Sequence, residues 1–268
     1  MKKVVILGSG PAGLMSVAAG LATPGLAGMD FHVLSVGGKS PLYGAQYLHE
    51  PIPDYTDEND YVRVRYQTWG SADDYKRKVY GQMWDGTVSP EDLDEEHSAW
   101  DIRETYDRLW DDFGQFVEPT RIDHAGLRIL MDGRSKLGKV ELVISSIPKA
   151  ALCIQGHQFR SANIVAAGDA PDLGIKLPYR QAKDNSVICN GNREPSWYRL
   201  SNIFGHKTVE WPDGMTPSIP SAAVIKPLSN NCDCFPDVLH VGRYGKWEKG
   251  VLSHTAYGDV RDYLAART

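Results

Sequence analysis

The chain has 268 residues, 42% of them hydrophobic and 24% charged, with a formal net charge of -5 at neutral pH. That balance belongs to a globular protein long enough to bury a sizeable core, as one large domain or two small ones. It disfavours non-specific binding to nucleic acid, and no apolar stretch approaches the ~20 residues of a membrane helix. Lys2-Lys3 before Val4 opens like a signal peptide, but Gly8-Ser9-Gly10 breaks the apolar run too early. A cytoplasmic location is expected, with no nucleic-acid or membrane partner.

The first element is an apolar strand, Val4-Val5-Ile6-Leu7, that runs straight into Gly8-Ser9-Gly10-Pro11-Ala12-Gly13. A helix-compatible run follows over residues 14–21, and a second strand over residues 31–36. In this context G-x-G-x-x-G is a dinucleotide-binding turn. Gly8 permits the bend, Gly10 lets a pyrophosphate approach the backbone, and Gly13 lets the helix pack closely. The unpaired N–H groups of the first helical turn attract phosphate, and Pro11 has no N–H to lose there. The second strand ends in Ser35 where Asp or Glu usually holds a ribose. Lys39 beyond it offers a charge for a phosphate, which would indicate an NADP-like ligand.

Residues 37–60 read as a loop, and within it Tyr43-Gly44-Ala45-Gln46-Tyr47-Leu48-His49 is rich in groups that can touch a ligand. Residues 61–66 alternate like a strand. Ser71 caps a helix that includes Tyr75 and Val79 and ends at Gly81, and Ser89-Pro90 opens another. From Trp100 onward, Ile102, Tyr106, Leu109, Trp110 and Phe113 share one helical face. Residues 116–119 and 127–130 read as short strands, and residues 140–147 as a stronger strand stopped by Pro148. Residues 161–167, 186–190, 198–204, 207–211 and 238–242 read as further strands, several of them close enough for an antiparallel sheet. A last helix is expected from near Gly250.

Of the four cysteines, only Cys232 and Cys234 are close in sequence. No second Cys/His pair stands at zinc-finger spacing, so the two read as free thiols in a loop and no metal is expected. The G-x-S-x-G elbow and the P-loop are also absent.

Four segments together resemble the FAD-binding superfamily of glutathione-reductase-like fold. Within it they resemble the branch of amine oxidases, protoporphyrinogen oxidase and UDP-galactopyranose mutase. They are the Gly8 turn; Tyr43-Gly44-Ala45-Gln46; Val143-Ile144-Ser145-Ser146-Ile147-Pro148; and the C-terminal run from Val241-Gly242-Arg243-Tyr244 to Gly250. The resemblance implies an α/β chain with a Rossmann-like FAD-binding domain and an inserted, smaller substrate domain of helices and antiparallel sheet. The FAD domain would be discontinuous, over residues 1–50, 114–150 and 236–268. Residues 51–113 would form a helical insertion and 151–235 the substrate sheet. FAD would lay its pyrophosphate on Gly8, Gly10, Pro11, Ala12 and Gly13, with Ser35 and Lys39 beyond. Its adenine would lie by Val117, its ribityl chain by Gly242 and Arg243, and its flavin ring by Gly44, Ala45, Gln46, Gly250 and Val251.

On the substrate side, Arg199 can hold an anionic group as a bidentate fork, and Tyr47, Trp197 and Tyr198 can wall a pocket. His49 can exchange a proton near neutrality, with Gln46 as a hydrogen-bonding partner. The leading expectation is a FAD-dependent oxidoreductase acting on a small polar or anionic substrate, with a homodimer conceivable. The alternatives are an NAD(P)-dependent reductase and a non-catalytic flavin- or dinucleotide-binding module.

Overall fold

The protein is described by a computed structural model that covers residues 2–23, 29–81, 95–168, 182–215 and 219–267. The helix start read at Ser89-Pro90 lies outside these residues.

The chain builds two sheets. The first has five strands, all parallel, in the order β12-β6-β1-β2-β5. They are β1 (Lys3–Leu7), β2 (Asp30–Ser35), β5 (Val117–Pro119), β6 (Leu142–Ser145) and β12 (Leu239–His240). Val4, Val5, Ile6 and Leu7 are all buried, as expected of a parallel strand covered on both faces. α1 (Pro11–Ala22), α3 (Ile102–Phe113) and α7 (Thr255–Ala265) cover one face, where Leu14, Val17, Ile102, Tyr106, Leu109, Tyr257 and Val260 form one core with Ile6 and Val33. Val5, Leu7 and Val143 face the other side. They pack there with α4 (His124–Met131) and α5 (Lys149–Leu152) through Leu127, Leu130 and Leu152.

The second sheet has seven strands in the order β11-β7-β10-β9-β8-β3-β4. They are β3 (Val62–Trp69), β4 (Glu96–Ala99), β7 (Phe159–Gly168), β8 (Ser186–Asn190), β9 (Arg199–Ile203), β10 (His206–Pro212) and β11 (Ala222–Asn230). All neighbours are antiparallel except β3 and β8. α2 (Ala72–Tyr80) lies against it, capped by Ser71 through the Asp74 N–H as read from the sequence.

Several elements differ from the sequence reading, which also gave no strand at β4 and no helix at α5. Residues 127–130 are helical, not a strand: Asp123 caps α4 by accepting from the Gly126 N–H at 2.9 Å, and the buried pair Leu127 and Leu130 keeps helical spacing while Ile129 is exposed. β11 was not legible because Pro227 interrupts it; as the sheet's edge strand with a bulge at Pro227/Ser229, it tolerates a missing N–H. The last helix begins at Thr255 rather than near Gly250, and the short α6 (Gly242–Lys246) directly follows β12. The stretch 51–113, read as one helical insertion, divides between the layers. β3, α2 and β4 join the second sheet, whereas α3 is part of the core over the first.

Candidate functional site

Parallel pairing of β6 with β1, and of β12 with β6, brings the C-terminal ends of β1 and β12 to the same end of the first sheet. The two glycine turns therefore meet, although 229 positions separate Gly242 from Gly13. Gly242 has φ +65°, and a Cβ there would stand 2.6 Å from Ala12 Cβ on the first turn of α1. At the first turn, a Cβ on Gly13 would stand 2.0 Å from the Gly8 carbonyl oxygen, whereas one on Gly10 would meet nothing within 4 Å. Gly13 thus serves packing and Gly10 keeps a surface open. Gly10 is the N-cap of α1 and supplies no side-chain cap, and Leu14 N–H is bonded to Gly10 O. The Ala12 and Gly13 N–H groups precede that first intrahelical bond and point out of the helix end.

α3 fixes the position of the turn. The Tyr106 hydroxyl donates to Ser9 O at 2.7 Å and accepts from Ser40 N–H at 3.0 Å. Tyr106 and Ser40 also line a cavity of about 540 Å³ together with Leu42, Asp101, Arg103 and His206. The cavity lies between the layers: His206 opens β10 of the second sheet, and Arg103 lies in the first turn of α3. Arg103 donates to Gln46 O and Gly44 O at 3.5 and 3.4 Å, tying the segment 43–49 to the same wall.

That segment meets two clusters. Gly44, at φ +81°, packs against Glu210, where a Cβ would stand 3.0 Å from Oε1, and Ala45 N–H reaches the same oxygen at 3.4 Å. Glu210 is 1% exposed. It accepts from Arg199 Nε at 2.7 Å, Tyr198 hydroxyl at 2.6 Å and Lys226 Nζ at 3.0 Å. Burial alone would raise its carboxyl pKa, but Arg199 and Lys226 overcome that and hold it well below the carboxylate range. Tyr47 then makes a hydroxyl contact with Tyr66 at 3.1 Å and stacks on His49 with ring centroids 4.5 Å apart. His97 and His254 lie 5.5 and 5.9 Å from the His49 ring. Burial, with His254 and His97 nearby, lowers the His49 pKa to about 4, so His49 is neutral at pH 7.

No family model matches the sequence, and no curated protein matches it. Solved structures do. The flavin-dependent halogenase BrvH from Brevundimonas sp. BAL3 superposes with a TM-score of 0.55 at 10% identity, over 99% of this chain and 72% of that one. The tryptophan 6-halogenase SttH from Streptomyces toxytricini gives 0.53 at 13% identity, over 97% and 70%. A Klebsiella pneumoniae HpxO variant complexed with FAD gives 0.50 at 11% identity, over 99% and 81%. This chain has the fold of FAD-binding flavoenzymes.

The residues present fit the group that this fold implies. Gly10 leaves room for a pyrophosphate, the Ala12 and Gly13 N–H groups face it, and Arg243 beside Gly242 carries a buried Nε without a hydrogen-bond partner. Val117 pairs with Val33 at the outer strand, next to the strand that follows the turn and α1. Ser35 Oγ accepts from Ser9 Oγ at 2.9 Å and stays part of the rim.

Several expected roles change. Lys39 is ion-paired with Asp107, so its charge is already partnered and the NADP-like reading loses its motive. Arg199 is no substrate fork, because Glu210 occupies its guanidinium. Trp197 and Tyr198 are 2% and 0% exposed and pack in the sheet core, with Trp197 against Trp69, so neither walls a pocket. Gly250 and Val251 precede a turn and not a helix N-terminus, since α7 starts at Thr255. Gln46 hydrogen-bonds its side-chain amide to Tyr43 O. The sequence reading missed Glu210, whose signal was one acid in the alternating run Thr208-Val209-Glu210-Trp211, and His97, which carried none.

Proposed function

We propose that this chain is a flavin-dependent oxidoreductase that binds FAD where the Gly8–Gly13 and Gly242–Arg243 turns meet. The observation that carries the reading is the close approach of Gly242 to Ala12, which joins the two most specific flavin-like motifs at the C-terminal end of the parallel sheet. The Ala12 and Gly13 N–H groups would hold the pyrophosphate, Ser35 a ribose hydroxyl, and Arg243 the chain towards the flavin. When bound, FAD supplies two-electron chemistry on a small organic substrate; the protein supplies binding and orientation.

The cavity between the layers is the reading's substrate chamber. Lys39 and Arg103 stand in its wall against Asp101, Glu104 and Asp107, and Leu42 adds an apolar surface, which suits a small polar substrate rather than a strongly anionic one. His49, which packs against Tyr47, His97 and His254 and does not line that cavity, is neutral at pH 7 and holds a second ring proton only in acid. The motifs resemble the amine-oxidase branch, whereas the similar structures are halogenases and an FAD complex. Stopped-flow reoxidation of the reduced holoprotein separates the two: oxidase behaviour favours the first, and oxygen transfer or halide dependence the second.

Incubation with FAD, desalting and an absorbance spectrum test the central claim. The wild-type chain is expected to retain flavin. Gly10→Val is expected to fold and retain none, because its side chain fills the open face of the turn. Retention of NADPH with rejection of FAD would replace this reading.

A further inference from the structure

The connections between the two sheets come together at one point outside the flavin turns. The chain leaves the first sheet after β6 and α5 through Cys153-Ile154-Gln155-Gly156-His157, and enters β7. It returns from β11 to β12 through Cys232-Asp233-Cys234. The structure places these two crossings side by side. Cys153 Sγ lies 3.1 Å from His157 Nδ1 and 3.7 Å from Cys234 Sγ, and Cys234 Sγ lies 3.5 Å from His157 Nδ1. Cys232 is 8% exposed. All four ligand atoms fall within 4.8 Å of one another.

We propose that Cys153, His157, Cys232 and Cys234 bind one zinc ion, which clamps the outgoing and returning crossings together. A tetrahedral ion with Zn–S of about 2.3 Å and Zn–N of about 2.1 Å separates its ligand atoms by about 3.5–3.8 Å, close to the spacings found. Three thiolates and an imidazole match the Cys₃His set of structural zinc and leave no open position for a substrate. The surroundings are built as such sites are. His157 turns Nδ1 to the sulfurs and Nε2 to Asp233, with Oδ1 at 3.3 Å, which fixes the ring and its tautomer. Gly156 takes φ +70° to turn the chain back, and Asn230 Oδ1 accepts from Cys232 N–H at 3.0 Å. Zinc binding deprotonates the three thiols and releases their protons to solvent, with no redox change.

Sequence spacing hides this site. Cys153 and His157 are four positions apart and Cys232 and Cys234 two, with 74 residues between His157 and Cys232. Only the pairing of β7 with β11 brings the halves together. The clamp also bears on the flavin side, because Cys234 leads through Phe235 and Val238 into β12 and Gly242.

The test is metal analysis of the full chain, freed of any histidine tag and purified without chelator or added metal. About one zinc per chain is expected. After removal of zinc under reducing conditions, added Co²⁺ should give the visible bands of a tetrahedral cobalt thiolate. The triple variant Cys153→Ser/Cys232→Ser/Cys234→Ser should bind neither ion. Because that variant could fail to fold, Asp233→Asn gives a second arm. Its side chain is 87% exposed; it should fold and lose zinc to a competing chelator at least about tenfold more readily. The proposal is overturned if the wild-type chain carries no zinc and gives no cobalt spectrum. It is equally overturned if the triple variant keeps the metal, or if the purified chain contains a Cys153–Cys234 disulfide.

Discussion

The two sheets handle polar groups in opposite ways. At the C-terminal end of the parallel sheet, backbone donors are left open: a Cβ on Gly10 would meet nothing within 4 Å, and the first turn of α1 has no side-chain cap. Inside the antiparallel sheet, one buried carboxylate is saturated, since Glu210 receives Arg199, Tyr198 and Lys226. Unsatisfied donors are tolerated where a ligand can complete them, and a buried charge is tolerated only with its partners in place. A charged residue in this protein is therefore not by itself a sign of function. The charged cluster around Glu210 holds strands and the segment 43–49 together, whereas the glycine turn, almost free of charge, is the proposed ligand site.

The contrast breaks most sharply at Glu210. Glu210→Gln leaves Arg199 and Lys226 buried without their counter-charge, and urea unfolding should show a loss of about 3–5 kcal/mol. Stability unchanged within error would mean that the cluster is dispensable.

The glycines sharpen the other side. Gly13→Ala forces a Cβ against Gly8 O and should lower stability by about 1–3 kcal/mol. Gly10→Ala should leave the melting temperature unchanged and weaken FAD binding about tenfold or more, read by flavin-fluorescence titration. Equal stability losses in the two variants would erase the distinction between a packing glycine and a ligand glycine.

The histidines give a pH test. The folded pKa of His49, about 4, lies below its unfolded value. Its contribution is therefore complete above about pH 6.5 and is lost as pH falls towards 4, amounting to about 1–3 kcal/mol. The wild-type chain should lose more stability than His49→Gln over that window. Parallel curves would remove His49 from the account. The smallest effect is expected from Tyr106→Phe, which deletes the bridge between Ser9 O and Ser40 N–H. It should cost about 1–2 kcal/mol and loosen FAD severalfold.

These regions also differ in how far the chain order reveals them. Gly8, Gly10 and Gly13 were legible because strand, turn and helix are contiguous and each glycine has a local steric reason. Five of the seven strands of the second sheet were legible as strands, β4 and β11 being the exceptions, but Arg199 was misread as a substrate fork because its partner stands on the next strand, in register Glu210↔Arg199. The same holds for His157, which lacks meaning until β7 pairs with β11. Alternation and capping report on local geometry, and they carry no information about which side chains meet across a sheet.

The measurement that bears most directly on the flavin site is the flavin content of the wild-type and Gly10→Val chains after saturation with FAD and desalting, with circular dichroism showing that both are folded. Near-stoichiometric yellow wild-type protein beside a colourless, folded variant is the predicted result. A wild-type chain that leaves the column colourless, or a Gly10→Val chain that keeps as much flavin, would contradict a pyrophosphate seated on that turn.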